Sequence, residues 1–211
     1  MSSLPDALRL RLSLPLPGLH AQLRMAPNPR MWPDAGTELR PAAALLLIYP
    51  HDGSWYFPLT VRGAGLRHHT GQVSLPGGRL DRPDESIEDA ALREAQEEIG
   101  VTPSEVDILG RLTPVPIAVS AHLLQPVLGV AATRPAFTPA MYEVERLIEV
   151  QVDSILRPDI VGWEDRMRTL PPQGPMRVPY FDIEGARVWG ATAMVLAEFL
   201  SLLGWSSPKR L

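Results

Sequence analysis

The chain contains no cysteine, which excludes disulfides, thiol catalysis and zinc held by thiolates. It has a single lysine, Lys209, so arginine supplies the rest of its 20 basic residues. That bias is spread over the whole length and is read as compositional. Long apolar runs are also missing. The leucines near the start are broken by Arg9, Arg11, Pro15 and Pro17, leaving no signal-peptide core. No stretch approaches the length of a membrane span, so the expected compartment is the cytoplasm. Positive charge is not in excess: the formal net charge is −4. Nothing global therefore draws the protein to nucleic acid or to an acidic membrane. An anionic substrate would have to be met by a local cluster of arginines or by a metal ion.

What remains is an ordinary globular composition, 45% hydrophobic and 21% charged over 211 residues. That is enough for one domain with a buried core. Residues 1–36 are rich in Pro and Arg and read as an extension with one short helix near Leu8–Leu12. Residues 37–205 form the expected domain, and 206–211 a tail. Ala42–Tyr49 is a continuous apolar run suited to a buried strand. Trp55–Arg62, Gln72–Leu75, Val106–Leu112, Leu123–Val130 and Leu147–Val152 read as further strands, and Pro76-Gly77-Gly78 as a stop after the second of these. A helix is expected from about Asp84 to Ile99, closed by Gly100. A short helix near Asp153–Leu156 follows. A hairpin over Arg177–Phe181 and Ala186–Val188 precedes a last apolar helix at Gly190–Leu203. The mixture predicts an α/β fold with a mixed β-sheet sandwiched between helices.

The helix ending at Ile99 breaks its own pattern. On a wheel of about 100° per residue, Ile87, Ala90, Ala91, Leu92, Ala95 and Ile99 share one arc, and Glu85, Asp89, Arg93 and Gln96 lie opposite. Glu94 and Glu98 fall in the middle of the apolar arc, with Glu97 at its edge. A solvated acidic face does not explain this, because the wet face is elsewhere. Three carboxylates within one turn repel one another, and partial burial worsens the repulsion unless a cation is present. Mg2+ or Mn2+, which take oxygen ligands, suit such a set. Arg93 stands four residues before Glu97, a spacing that allows an ion pair.

Gly78, Glu85 and Arg93-Glu94-Ala95-Gln96-Glu97-Glu98-Ile99-Gly100-Val101 resemble the Nudix box. That pattern is Gly, five residues, Glu, seven residues, then Arg-Glu-U-x-Glu-Glu-x-Gly-U with U apolar. The second half fits throughout. In the first half, six residues separate Gly78 from Glu85, or else Asp84 takes the place of the glutamate. Upstream, Leu59-Thr60-Val61-Arg62, Arg67, Gly71 and Leu75-Pro76-Gly77-Gly78 resemble the signature of coenzyme A pyrophosphatases, with Gly63 in place of a small Ser or Ala and Leu75 in place of Phe. Arg40-Pro41-Ala42-Ala43, Glu143-Val144 and Trp189-Gly190-Ala191-Thr192-Ala193 extend the likeness over roughly residues 40–200.

The resemblance implies a Nudix-type α/β/α sandwich, a divalent metal, and attack of water on a diphosphate. Coenzyme A would yield 4′-phosphopantetheine and adenosine 3′,5′-bisphosphate. A metal ion neutralises the diphosphate, polarises its P–O bond and makes water easier to deprotonate. By the same resemblance Glu94, Glu97 and Glu98 hold the metal, and Arg93 orients a carboxylate. Arg62 and Arg67 meet substrate phosphates, and Gly77 and Gly78 let the backbone approach the site. The general base is either a glutamate of the box or Glu143 from a later loop. His68 and His69 read as a solvated loop, and Trp189 as core. Two other readings stand beside this one: a Nudix hydrolase of another diphosphate, such as ADP-ribose or a dinucleotide, and a Nudix-fold binding module without activity. The intact box glutamates speak against the latter.

Overall fold

The computed structural model describes residues 3–63, 71–81, 86–168 and 173–206. Its centre is strand β1 (Arg40–His51), whose apolar run is buried on both faces. Ala44, Leu46 and Ile48 point into one core, and Ala43, Leu45, Leu47 and Tyr49 into the other. A strand with no wet face needs no alternation, which is why its sequence reads as continuous apolar residues. β1 runs antiparallel to β2 (Ser54–Arg62) and parallel to β7 (His122–Ala131). β3 (Val73–Ser74) and β8 (Val144–Gln151) both pair with β2, while β5 (Val106–Arg111) and β6 (Val115–Ile117) both pair with β7. The sheet is therefore mixed, as the sequence predicts.

Helix α3 (Ile87–Ile99) covers one face. Ala90, Ala91 and Ala95 are small enough to let it lie close on the sheet, and Ile99 closes the row. The other face is covered by α4 (Gly190–Leu202), through Met194, Leu196, Phe199 and Leu200. This gives helix, sheet, helix. A second, three-stranded antiparallel sheet, β9 (Val161–Arg168), β10 (Gly174–Ile183) and β11 (Ala186–Trp189), leads into α4. Among the described residues no helix is long and apolar enough to cross a membrane.

Four expectations are corrected. Gly77-Gly78 does not merely stop a strand: Gly77–Arg79 is itself a strand, β4, paired antiparallel with Ala42–Ala44 of β1. A Cβ on Gly77 would lie 2.4 Å from the Ala43 carbonyl oxygen, so only glycine permits the pairing. The acidic helix begins at Ile87, because the Ser86 side chain caps it by accepting the Asp89 amide at 3.0 Å. β9 and β6 were not foreseen; β9, with Glu164, Asp165, Arg166 and Arg168, carries too much charge for an apolar alternation to show. Finally, the N-terminal residues hold more structure than one short helix. α1 (Leu4–Leu12), α2 (Gly18–Gln22) and the 3-10 turn Leu23–Met25 that follows place Leu8, Ala21 and Met25 fully inside the protein.

That docking is fixed by Glu198, a carboxylate of α4 with no exposure to solvent. It accepts hydrogen bonds from Gln22 Nε2 at 2.8 Å, Thr113 Oγ1 at 2.7 Å, the Thr113 amide at 3.2 Å and the Gly18 amide at 3.2 Å. A buried charge is tolerable when its acceptor sites are filled in this way.

Candidate active site

Three elements meet at the C-terminal half of α3: the strand β4, the end of β2, and the loop before β8. Each is held there by the backbone. Gly100 ends the helix in a left-handed conformation, φ 75°. The following chain then folds back, and the Thr138 amide donates to the Ile99 carbonyl and the Ala140 amide to the Glu98 carbonyl, both at 2.9 Å. A turn from Ala140 delivers Glu143, whose own carbonyl accepts the Gly63 amide at 2.8 Å. The end of β2 and the loop bearing Glu143 are thereby tied to the helix that carries the glutamates.

The three glutamates in the C-terminal half of α3, Glu94, Glu97 and Glu98, do not share one environment. Glu98 is buried, with 7% of its surface exposed, and its Oε2 has no hydrogen-bond partner. Burial pushes its carboxyl up to about 8, against the pull of Arg62; Glu94 and Glu143 raise it further, and a hydrogen bond from the Gly77 backbone lowers it. These groups therefore act on one another within a single small region. Glu94 is mostly covered and lies against Gly78, where an added Cβ would come within 2.4 Å of its carboxylate. Burial pushes Glu94 above the usual carboxylate range, with Arg93 opposing. Glu97 points outward, with 59% of its side chain exposed.

Arg93 spans the two sides of the helix end. Its Nη1 donates to Glu94 Oε1 at 2.8 Å and to Glu97 Oε2 at 3.3 Å, and its Nη2 to the Arg79 carbonyl at 2.8 Å. It thus ties two carboxylates to β4. Arg67, His68 and His69, and likewise Asp84 and Glu85, lie outside the described residues.

Among the described residues no three carboxylate or histidine side chains are already gathered as a metal cage. The donors present nevertheless suit a hard cation. Glu94 stands close enough to raise the buried Glu98, whose Oε2 is orphaned, and the glycine beside Glu94 leaves the approach open.

Beside this acidic region opens a cleft of about 840 Å³. Arg62 belongs to both, since it acts on Glu98 and lines the cleft. The cleft's other polar walls include Arg30, Arg166, Arg168 and Gln72. Trp189, expected in the core, is a further correction. It is half-buried, lines the cleft, and carries the Arg166 guanidinium over its ring at 4.0 Å. Arg30 and Arg168 escaped the sequence reading, Arg30 because its segment lacks pattern and Arg168 because its strand was not anticipated.

Residues 38–158 match the model of the NUDIX domain family. An uncharacterized Nudix hydrolase, NudL, of Pectobacterium atrosepticum is 44% identical over 114 residues, which is 54% of this chain and 58% of that protein. NudL of Citrobacter koseri is 35% identical over 146 residues, covering 69% of this chain and 74% of the relative. The chain thus spans little more than half the length of the first of these and about three quarters of the second. Among solved structures, the MutT protein of Methanosarcina mazei Go1 shares the fold, with a TM-score of 0.50 at 19% identity over 81% of this chain and 99% of that one.

Proposed function

The chain belongs to the Nudix domain family, and from that membership we propose that it is a divalent-cation-dependent hydrolase of a diphosphate linkage, with coenzyme A or a derivative as substrate and 4′-phosphopantetheine and adenosine 3′,5′-bisphosphate as products. Nudix hydrolases generally use divalent metal ions. The observation that carries the reading is the buried Glu98 carboxylate with its orphaned Oε2, set between Glu94, Glu143 and Arg62. Such a group is costly to keep unless a cation or a proton meets it.

In this reading Glu94 and Glu98, with Glu97 at the outer edge, hold Mg2+ or Mn2+. The ion would neutralise the diphosphate and polarise its P–O bond. Arg93 holds the Glu94 and Glu97 carboxylates in orientation, and its link to the Arg79 carbonyl fixes the helix end to β4. Gly78 keeps the approach to Glu94 free of a side chain, and Gly77 lets β4 pair closely with β1 beside it. Arg62, at the junction of the acidic region and the cleft, takes a phosphate oxygen; Arg67 is assigned to the same task from its place in the signature. Glu143, on its anchored loop, is the base that accepts a proton from the attacking water. The coenzyme A assignment is supported by the signature around Arg62 and by the four arginines of the cleft.

The test is a panel of diphosphates, comprising coenzyme A, its 3′-dephosphorylated form, ADP-ribose and a dinucleoside polyphosphate. Each is incubated with Mg2+, Mn2+ or EDTA, and phosphate is read after a coupled phosphatase. Cation-dependent release, fastest with coenzyme A, is expected. Release that persists in EDTA removes the cation from the reading, and faster turnover of ADP-ribose removes coenzyme A.

A further inference from the structure

Most arginines of this protein with a carboxylate in reach use it. Arg111 grips Glu88 with Nε and Nη2, both at 2.6 Å; Arg134 grips Glu149; Arg166 and Arg187 share Glu164. Three arginines behave differently. The Nε–H groups of Arg30, Arg62 and Arg168 are buried without an acceptor. All three side chains line the one cleft beside the acidic region. A buried donor without an acceptor costs on the order of 1–3 kcal/mol, and these three belong to side chains that line the same cavity, where a bound anion would meet their charge.

Arg30 shows the point most clearly. Its Nη2 donates to the Pro116 carbonyl at 2.8 Å and its Nη1 meets the Met194 sulfur at 2.7 Å, so its head is held in place by neutral groups. Burial pulls it below the usual guanidinium range, and among the described residues no carboxylate neutralises it. The Arg168 side chain has no hydrogen-bonded or ion-paired partner among the described residues. Apolar side chains, Ile117, Val119, Met31 and Met176, occupy other parts of the wall, and Trp189 another. A charged head group attached to an organic body fits such a surface, and a free ion does not use it.

We propose that this cleft seats a phosphomonoester that the substrate carries in addition to its scissile diphosphate, and that Arg30 and Arg168 bind it. The proposal rests on the acidic region being the place of hydrolysis. Arg62, which acts on Glu98, faces the diphosphate; Arg30 and Arg168 supply the positive charge beyond it. A phosphomonoester brings about two negative charges and three acceptor oxygens, which a guanidinium fork matches better than a carboxylate or a hydroxyl does. The two residues flank the stretch that matches the family model, residues 38–158, one before it and one after. The phosphate seat is therefore an addition to the shared domain, built by the N-terminal segment and by β9, and it selects among diphosphates that the acidic region alone treats alike.

The experiment uses binding, so that it does not depend on turnover. Adenosine 3′,5′-bisphosphate and AMP, which differ by one phosphomonoester, are titrated into the full chain by calorimetry in EDTA. The wild type is expected to bind the bisphosphate at least about tenfold more tightly. Arg168→Gln and Arg30→Gln should each bring that ratio below about threefold while changing AMP affinity little, and Arg168→Lys should restore part of it. Should Arg30→Gln unfold, because its head also braces Pro116, Arg168→Gln decides alone, with its thermal melt as the control for folding. Equal affinity of the wild type for both nucleotides overturns the proposal, as does an unchanged ratio in Arg168→Gln. If the panel of diphosphates is cleaved but the ratio is near one, only the phosphate seat is lost. If the ratio holds and no diphosphate is cleaved, the hydrolase reading is lost and the seat stands.

Discussion

The Glu94 carboxylate occupies the place where a side chain on Gly78 would begin. An ideal Cβ on Gly78 would sit 2.4 Å from Glu94 Oε1 and 2.6 Å from Oε2. One residue earlier the obstacle is of another kind: a Cβ on Gly77 would meet the Ala43 carbonyl oxygen at 2.4 Å and the Ala44 Cα at 2.7 Å. Two adjacent glycines thus guard different things. Gly77 makes room for the strand pairing, and Gly78 makes room for a carboxylate.

Alanine at the two positions should therefore separate stability from activity. Gly77→Ala drives an atom into backbone that cannot swing away, and is expected to cost about 1–3 kcal/mol or more in chemical denaturation. Gly78→Ala meets only the far end of a flexible side chain, so its stability should fall by less than about 1 kcal/mol. Its turnover should fall at least about tenfold, with more cation needed for half-maximal rate, because Glu94 is displaced. A Gly78→Ala enzyme with wild-type cation dependence would show that Glu94 is not a ligand.

Glutamine at Glu97 and at Glu98 tests the acidic stripe itself. Each substitution is expected to lower turnover by at least about two orders of magnitude while circular dichroism and the thermal transition stay folded. Glu98→Gln keeps the shape of a buried side chain, and Glu97→Gln alters an exposed one, so neither should unfold the protein. Wild-type rates in both variants at saturating Mg2+ would remove the stripe from the chemistry.

How much of this was legible depended on whether the cause is local. β1 and α3 announce themselves through runs and periods, and the misplaced Glu94 and Glu98 stand out against the period. β4 does not, because its glycines read as a turn until Ala43 and Ala44 are seen beside them. Glu143 became a candidate only through the resemblance; what anchors its loop is a backbone bond from Ala140 to Glu98, which no side-chain pattern encodes. Trp189 looked like core because it opens an apolar helix. The Arg166 that covers its ring comes from β9, a strand too charged to be recognised. Arg30 and Arg168 were invisible for the same reason, whereas Arg62 was reached through the resemblance: whether a guanidinium finds a carboxylate is decided by the tertiary fold.

The Arg134–Glu149 pair predicts a pH dependence of stability. Arg134 Nε and Nη2 donate to the two oxygens of Glu149 at 2.7 and 2.5 Å, and the Tyr49 hydroxyl adds a third hydrogen bond at 2.8 Å. The Arg134 fork holds the Glu149 carboxyl below its ordinary 4.5, with partial burial opposing and the Tyr49 hydroxyl assisting. A carboxyl depressed in the folded state binds fewer protons there than in the unfolded chain. Its stabilisation is therefore complete above about pH 4.5 and is lost as pH falls through the depressed folded value. Arg134→Ala should cost about 1 kcal/mol at pH 7, since both groups are partly exposed and screened, and distinctly less at pH 3. An equal cost at both pH values in urea titrations would show that the pair contributes through packing and not through charge.

Glu198 links the N-terminal segment to the rest of the protein through a buried cluster of hydrogen bonds, and its substitution should reveal whether that segment folds with the domain. The carboxylate has no exposure, and four donors converge on it: Gln22 Nε2, Thr113 Oγ1, and the amides of Thr113 and Gly18. Gln22 and Gly18 belong to α2, and Thr113 follows β5, so one side chain of α4 joins three parts of the chain. Glu198→Gln replaces one oxygen by an NH2 that faces donors and can accept from none of them. The expected loss is about 2–4 kcal/mol, from the broken charge-assisted bonds and from the donors left buried. Thr113→Val removes one donor and leaves the carboxylate three, so it should cost only about 1 kcal/mol. The loss in Glu198→Gln should also appear locally: limited proteolysis is expected to cut near Leu14–Pro17, between α1 and α2, well before the sheet is attacked. If Glu198→Gln unfolds within about 0.5 kcal/mol of the wild type and shows no new cleavage, the buried carboxylate is not what docks the segment, and the apolar contacts of Leu8 and Met25 with the Asn28–Arg177 backbone pair hold it without that carboxylate.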